Sequence, residues 1–93
     1  MPFQEFKNSL EKKLNTKTKF ELLEFHYQPY HFGSGVLAYK INGINYRFSF
    51  DGKDNLLSIE QSKSHEKYSD SNWTIVFEQR GLDVNNFIDV LFP

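Results

Sequence analysis

Residues 39–48 read YKINGINYRF, two runs of aromatic and β-branched residues mirrored about Asn42-Gly43. A two-residue hairpin turn of type I′ needs positive φ at both central positions, and Asn followed by Gly tolerates that better than other pairs. The turn sets the register. Ile41 faces Ile44, Tyr39 faces Tyr46 and Leu37 faces Phe48 on one side of the ribbon, while Lys40, Asn45, Arg47 and Ser49 take the other. A sheet that is apolar on one face follows, and it needs a cover.

Outward from the hairpin the same parity persists. The chain turns back around Asp51-Gly52-Lys53-Asp54-Asn55, and a loop of either two or four residues leaves Leu57 and Ile59 on the apolar side. LLEFHY sends Leu23, Phe25 and Tyr27 inward, and WTIVFEQ does the same with Trp73, Ile75 and Phe77. At the start, Phe3, Phe6, Leu10 and Leu14 recur at helical spacing with Glu and Lys between them, which predicts a helix over about residues 2–15 with Pro2 suited to its first turn. At the other end Val84, Phe87, Ile88 and Leu91 return to that spacing after Gly81, and Asp83 is placed to cap them. The expected fold is α+β: an N-terminal helix, an antiparallel β-meander of about five strands and a C-terminal helix, with the helices covering one face of a single sheet. Residues 1–93 form one domain in this reading, without internal repeats. SKSHEKYSDSN, residues 62–72, is its one long polar linker.

Composition narrows the function classes. Ten Phe, five Tyr and one Trp in 93 residues are enough to fill a core, since each large ring removes roughly 150–250 Å² from water. There is no Cys, so disulfides, thiolate metal sites and cysteine nucleophiles are excluded, which suits a reducing, cytoplasmic setting. No apolar run approaches a membrane span, and MPFQEFKNSLEKK lacks the order of a signal peptide. The net charge of −1 offers no global field to nucleic acid or an anionic membrane. Charge is nonetheless uneven, with five Lys against two Glu in residues 1–19 and five acids against three Lys in residues 51–71.

Catalytic and metal motifs are missing. His26 and His31 are five apart, which puts them on opposite faces of a regular strand, and His65 sits in the polar linker, so no closed metal site is written and no cofactor is implied. The glycines of Gly33-Ser34-Gly35 precede a strand, whereas a phosphate loop opens a helix and carries further glycine and lysine positions. Ser34 likewise lacks the strand-to-helix elbow of a hydrolase nucleophile. Aromatic sheets do bind single-stranded nucleic acid by stacking, but parity sends most of these rings into the core.

FHYQPYHFGSGV, residues 25–36, holds the sharpest functional expectation. A three-residue loop at Gly33-Ser34-Gly35 sets Phe32 opposite Val36 and Tyr30 opposite Ala38, making an outer apolar patch rimmed by His26, Lys40, Arg47 and Ser49. A bend at Pro29 or a bulge instead folds the rings back into the core. In the first case Tyr30, Phe32 and Val36 are anchors for another protein, such as a toxin or enzyme. Lys40, Arg47, Glu24, His26, Glu60 and Glu78 then tune the electrostatic fit. That is the profile of an immunity, antitoxin or other inhibitor protein, acting as a monomer or homodimer. The alternatives are a small hydrolase or nuclease built on His26, Glu24 and Arg47, and a single-stranded nucleic-acid module.

Overall fold

The computed structural model describes residues 2–63 and 67–93; His65 lies outside them. Helix α1 spans Pro2–Asn15, followed by strands β1 (Phe20–Gln28), β2 (Ser34–Ile41), β3 (Ile44–Asp51), β4 (Leu56–Gln61) and β5 (Thr74–Arg80), and a short helix α2 (Ile88–Leu91). The strands form one antiparallel sheet in sequence order. The architecture is the expected one: helix, five-stranded meander, short C-terminal helix.

The stripe on α1 sets its packing. Phe3, Phe6, Leu10 and Leu14 are all buried against the inner face of the sheet, and each such side chain stabilises the fold by roughly 1.5–3 kcal/mol. Polar ties hold the helix in place. The Tyr39 hydroxyl donates to Glu11 at 2.7 Å, and Lys7 pairs with the same carboxylate at 3.0 Å one helical turn away. Burial, reinforced by the Glu11 carboxylate, pushes the Tyr39 hydroxyl far above the ordinary phenol range.

The β2–β3 hairpin has the register its sequence dictates, with Asn42 at φ 54° and Gly43 at φ 80°. Leu37, Tyr39, Ile41, Phe48, Leu57 and Ile59 form the centre of the inner face, all essentially inaccessible. The C-terminal segment completes the cover. Asp83 accepts a hydrogen bond from the Asn85 amide at 2.9 Å and starts a 3₁₀ turn at Val84–Asn86, after which α2 adds a single α turn. Phe87 stands between the layers, its ring 5.7 Å from Phe48 and 6.1 Å from Phe6.

Simple alternation fails at both edge strands, and for the same reason. In β1 Leu22 pairs with Tyr39 but Glu24 pairs with Ala38, so Leu23 is an extra residue. Phe20 packs on the core before this bulge and Phe25 and Tyr27 after it, while Leu23 does not. In β5 Phe77 is opposite Ile59 but Ile75 is opposite Glu60, leaving Val76 extra. Val76 and Phe77 therefore reach the core, whereas Ile75 turns to the outer face and is 55% exposed. Trp73 follows Ile75 outward. Bulges bend and twist edge strands, which makes them poorer templates for pairing with another chain.

The β1–β2 connection also differs from expectation. Gln28 pairs with Ser34 and Tyr27 with Gly35, so the loop is residues 29–33 and not Gly33-Ser34-Gly35. Tyr27 stays inward, but Phe32 is in the loop itself and does not face Val36. The β3–β4 turn lies alongside. The Ser34 hydroxyl accepts from the Gly52 amide at 2.9 Å, and a Cβ added at Gly52 would stand 1.8 Å from the Phe32 carbonyl oxygen. Only glycine allows that approach.

Candidate functional site

On the outer face side chains from β1, β3 and β4 meet two rings, Tyr68 and Trp73, that precede β5. Arg47, at the centre of β3, donates from Nε and Nη2 to the two carboxylate oxygens of Glu60 on β4, at 2.8 and 2.9 Å. This bidentate pairing fixes the guanidinium plane. Trp73 covers that plane, with the guanidinium carbon 4.4 Å from the ring centroid. Tyr68 meets Trp73 edge to face at 5.7 Å and donates its hydroxyl to Glu24 on β1. Glu24 also holds His26 Nε2 at 3.0 Å. The stretch carrying Tyr68 and Trp73 thus roofs half of the outer face, and Ala38 beneath it is as inaccessible as any core residue. At the same end Asn45 is buried too, its carboxamide nitrogen donating to Ser71 at 3.0 Å.

The electrostatics follow from this geometry. Hydrogen bonding to Glu60 raises the Arg47 pKa above its already high value, so the charge is permanent. Burial, then the hydrogen bond to Glu24, pushes the Tyr68 hydroxyl up to about 12. Both groups are committed to their neighbours. Arg47 and Glu60, expected as partner-binding residues, are occupied by one another.

The other half of the outer face is open. His26, Val36, Ser49, Ser58 and Glu78 are consecutive cross-strand neighbours. Most of this row lines a shallow groove of about 450 Å³. Its polarity is mixed: Ser58 donates to Glu78 at 3.2 Å, and His26 is largely exposed. The groove runs to Gln28 and Ser34, where the loop of residues 29–33 begins. On that loop Tyr30 is 96% and Phe32 71% exposed. Phe32 holds φ at 59°, a left-handed conformation that is costly for a bulky side chain.

The expected site residues thus separate into groups. His26, Val36 and Glu78 lie on the open half of the outer face, Tyr30 and Phe32 stand on the loop at its end, and Glu24, Arg47 and Glu60 belong to the roofed cluster. Lys40 lies beyond it, beside Asn45 and the Asn42-Gly43 turn, and does not rim the exposed rings. Sequence reading missed Tyr68 and Trp73. Their signal was two aromatic rings in and beside an otherwise polar linker. Among the described residues no group of three or more His, Asp or Glu could hold a metal ion, and no helix is long and apolar enough to cross a membrane. No family model matches the chain, and comparisons with curated proteins and with solved structures return no match.

Proposed function

We propose that this chain is a protein-binding module of the immunity, antitoxin or inhibitor kind, which acts by docking the loop of residues 29–33 and the adjoining row His26, Val36, Ser49, Ser58 and Glu78 onto a partner protein. One observation carries the reading: two large rings, Tyr30 and Phe32, stand in solvent on a loop whose backbone is pinned. Exposed rings on a floppy loop would lose much of their contact energy to ordering. Here the hydrogen bond from Gly52 to Ser34 and the close approach of Gly52 to the Phe32 carbonyl fix the backbone before any partner arrives. Aromatic anchors beside polar and charged groups are the usual composition of binding hot spots. Arg47 and Glu60 flank the row on the same face, with the Ser49 hydroxyl donating to Glu60 at 3.4 Å.

The test compares capture of interacting proteins by the native chain and by a Tyr30→Ala/Phe32→Ala variant, followed by calorimetric titration of the purified partner. The variant is expected to melt like the native protein and to bind at least about 30-fold more weakly. A folded variant with unchanged affinity removes the docking assignment. Self-association through the same rings is read out by sedimentation of Phe32→Asp, which should leave the mass unchanged if the partner is a different protein.

A hydrolase or nuclease has one observation in its favour, the His26–Glu24 pair at 3.0 Å on an accessible face, since a carboxylate-oriented imidazole is a usable general base. Arg47, the third member of that set, is already taken by Glu60. Any hydrolytic activity that survives His26→Ala eliminates this version.

A further inference from the structure

The connection between β4 and β5 is longer than its strands require. Gln61 stands directly opposite Thr74, a junction that a loop of about two to five residues would close, yet residues 62–73 intervene. They also reach the wrong strand for a simple turn. Tyr68 is tied by its hydroxyl to Glu24 on β1, at the far edge of a sheet ordered β1-β2-β3-β4-β5.

Within Lys67–Trp73 the hydrogen bonds are local. The Asp70 amide donates to the Lys67 carbonyl at 3.1 Å, the Ser71 amide to that of Tyr68 at 3.3 Å, and the Ser71 hydroxyl to Lys67 at 2.9 Å. No residue of this segment is fully buried, and neither of its rings belongs to the core cluster. Side chains hold it down: Tyr68 on Glu24, Trp73 against the Arg47 guanidinium, and Ser71 beneath the Asn45 carboxamide nitrogen. Under it Ala38 and Asn45 have no exposed surface.

Lifting the segment strands no charge. Arg47 keeps both bonds to Glu60, Glu24 keeps its contact with His26, and the Tyr68 hydroxyl passes to water. A piece held by so few buried contacts opens at far lower cost than the whole fold. We infer that Lys67–Trp73 is a strap that lifts from the outer face as a unit while the sheet and its inner cover stay folded, with the hydrogen bond between Tyr68 and Glu24 as its latch. Closed, it hides Ala38 and half of the face; open, it joins Ala38 and the Arg47–Glu60 pair to the row that runs from His26 to Glu78. The strap is tested on the chain alone, without any partner protein, so the docking role of Tyr30 and Phe32 has no part in the outcome.

The chain has no Cys, so Ala38→Cys puts a single thiol under the strap and Leu37→Cys a single thiol in the inner core. Each is labelled with dithionitrobenzoate in rising urea below the unfolding transition, and its rate is compared with that variant's own unfolding curve. A strap that lifts alone exposes little surface. Labelling at position 38 should therefore outrun global unfolding by at least about tenfold and depend only weakly on urea, whereas position 37 should follow the full unfolding slope. Adding Tyr68→Phe should speed labelling at position 38 about tenfold and leave position 37 tracking global stability. In the unsubstituted chain, NMR exchange of the Asn45 carboxamide protons reads the same event. It decides the matter if the emission of Trp73 in Ala38→Cys shows that the larger side chain has itself displaced the strap. Labelling and exchange that both carry the full urea slope, or that do not respond to Tyr68→Phe, overturn the inference.

Discussion

On the inner face of the sheet Tyr39, Phe48 and Ile59 lie beneath α1 and the C-terminal turn; on the outer face Ala38 and Asn45 are equally inaccessible, but beneath a stretch that carries Tyr68 and Trp73. The inner cover is made of apolar side chains at regular spacing. The outer cover is two aromatic rings, Tyr68 and Trp73, held to the sheet by a guanidinium and two carboxylates. Burial against an apolar layer is non-directional and scales with area, so many packings would serve. A polar cluster stabilises only while its geometry holds, because each unpaired buried group then costs more than its bond contributed. The first face sets the fold, and the second fixes where residues 68–73 lie upon it.

The largest expected effect breaks the inner face. Phe48→Ala empties a site touching Phe6, Tyr39 and Phe87, and should cost about 3–5 kcal/mol in denaturant unfolding. Arg47→Ala breaks the outer face. It strands the mostly buried Glu60 carboxylate and uncovers Trp73, for an expected loss of about 1.5–3 kcal/mol, and Trp73 fluorescence should shift to longer wavelength as the ring gains water. A double-mutant cycle with Glu60→Gln should show strong coupling between the two positions, whereas one pairing Arg47→Ala with Phe48→Ala isolates what passes between the faces.

The two faces also differ in their response to alkali. Tyr68 has its folded pKa raised from 10.0 to about 12, so the fold favours the neutral phenol. The stability this contributes is complete below about pH 10 and is lost as pH rises towards 12. Urea midpoints should fall across that window, and Tyr68→Phe should make the fall shallower. What remains belongs to Tyr39 beneath α1, shifted in the same direction. The smallest expected effect on stability, and of opposite sign, is at the bare loop. Phe32→Gly relieves a left-handed φ at a bulky residue and should raise stability by roughly 0.5–1 kcal/mol while weakening partner binding. A gain in stability with undiminished binding would separate the strained backbone from the docking surface.

Most of the inner face was legible in the sequence because helices and strands impose their own periods. Phe3, Phe6, Leu10 and Leu14 give the helix, and Asn42-Gly43 gives the register of Leu37 through Phe48. The bulges were not legible. An extra residue at Leu23 or Val76 has no composition of its own, yet each reverses the parity of what lies beyond it. That is why Leu23, Trp73 and Ile75 are not on the core and why Phe20 and Val76 are. The aromatic loop was half legible: exposure of Tyr30 and Phe32 was one of two readings, but it arises from a five-residue loop closed by Gln28 and Ser34. The roofed cluster was the least legible, since Arg47, Trp73 and Tyr68 meet through tertiary placement alone.

The contact between Gly52 and the Phe32 carbonyl has a consequence for how this surface can change. Two loops eighteen residues apart, counted from Ser34 to Gly52, share one backbone fit. A residue inserted in either, or any side chain placed at Gly52, shifts the other. Drift in partner preference along a lineage should therefore appear as paired changes in the two loops, and a graft of the aromatic loop onto another scaffold has to bring the second turn with it.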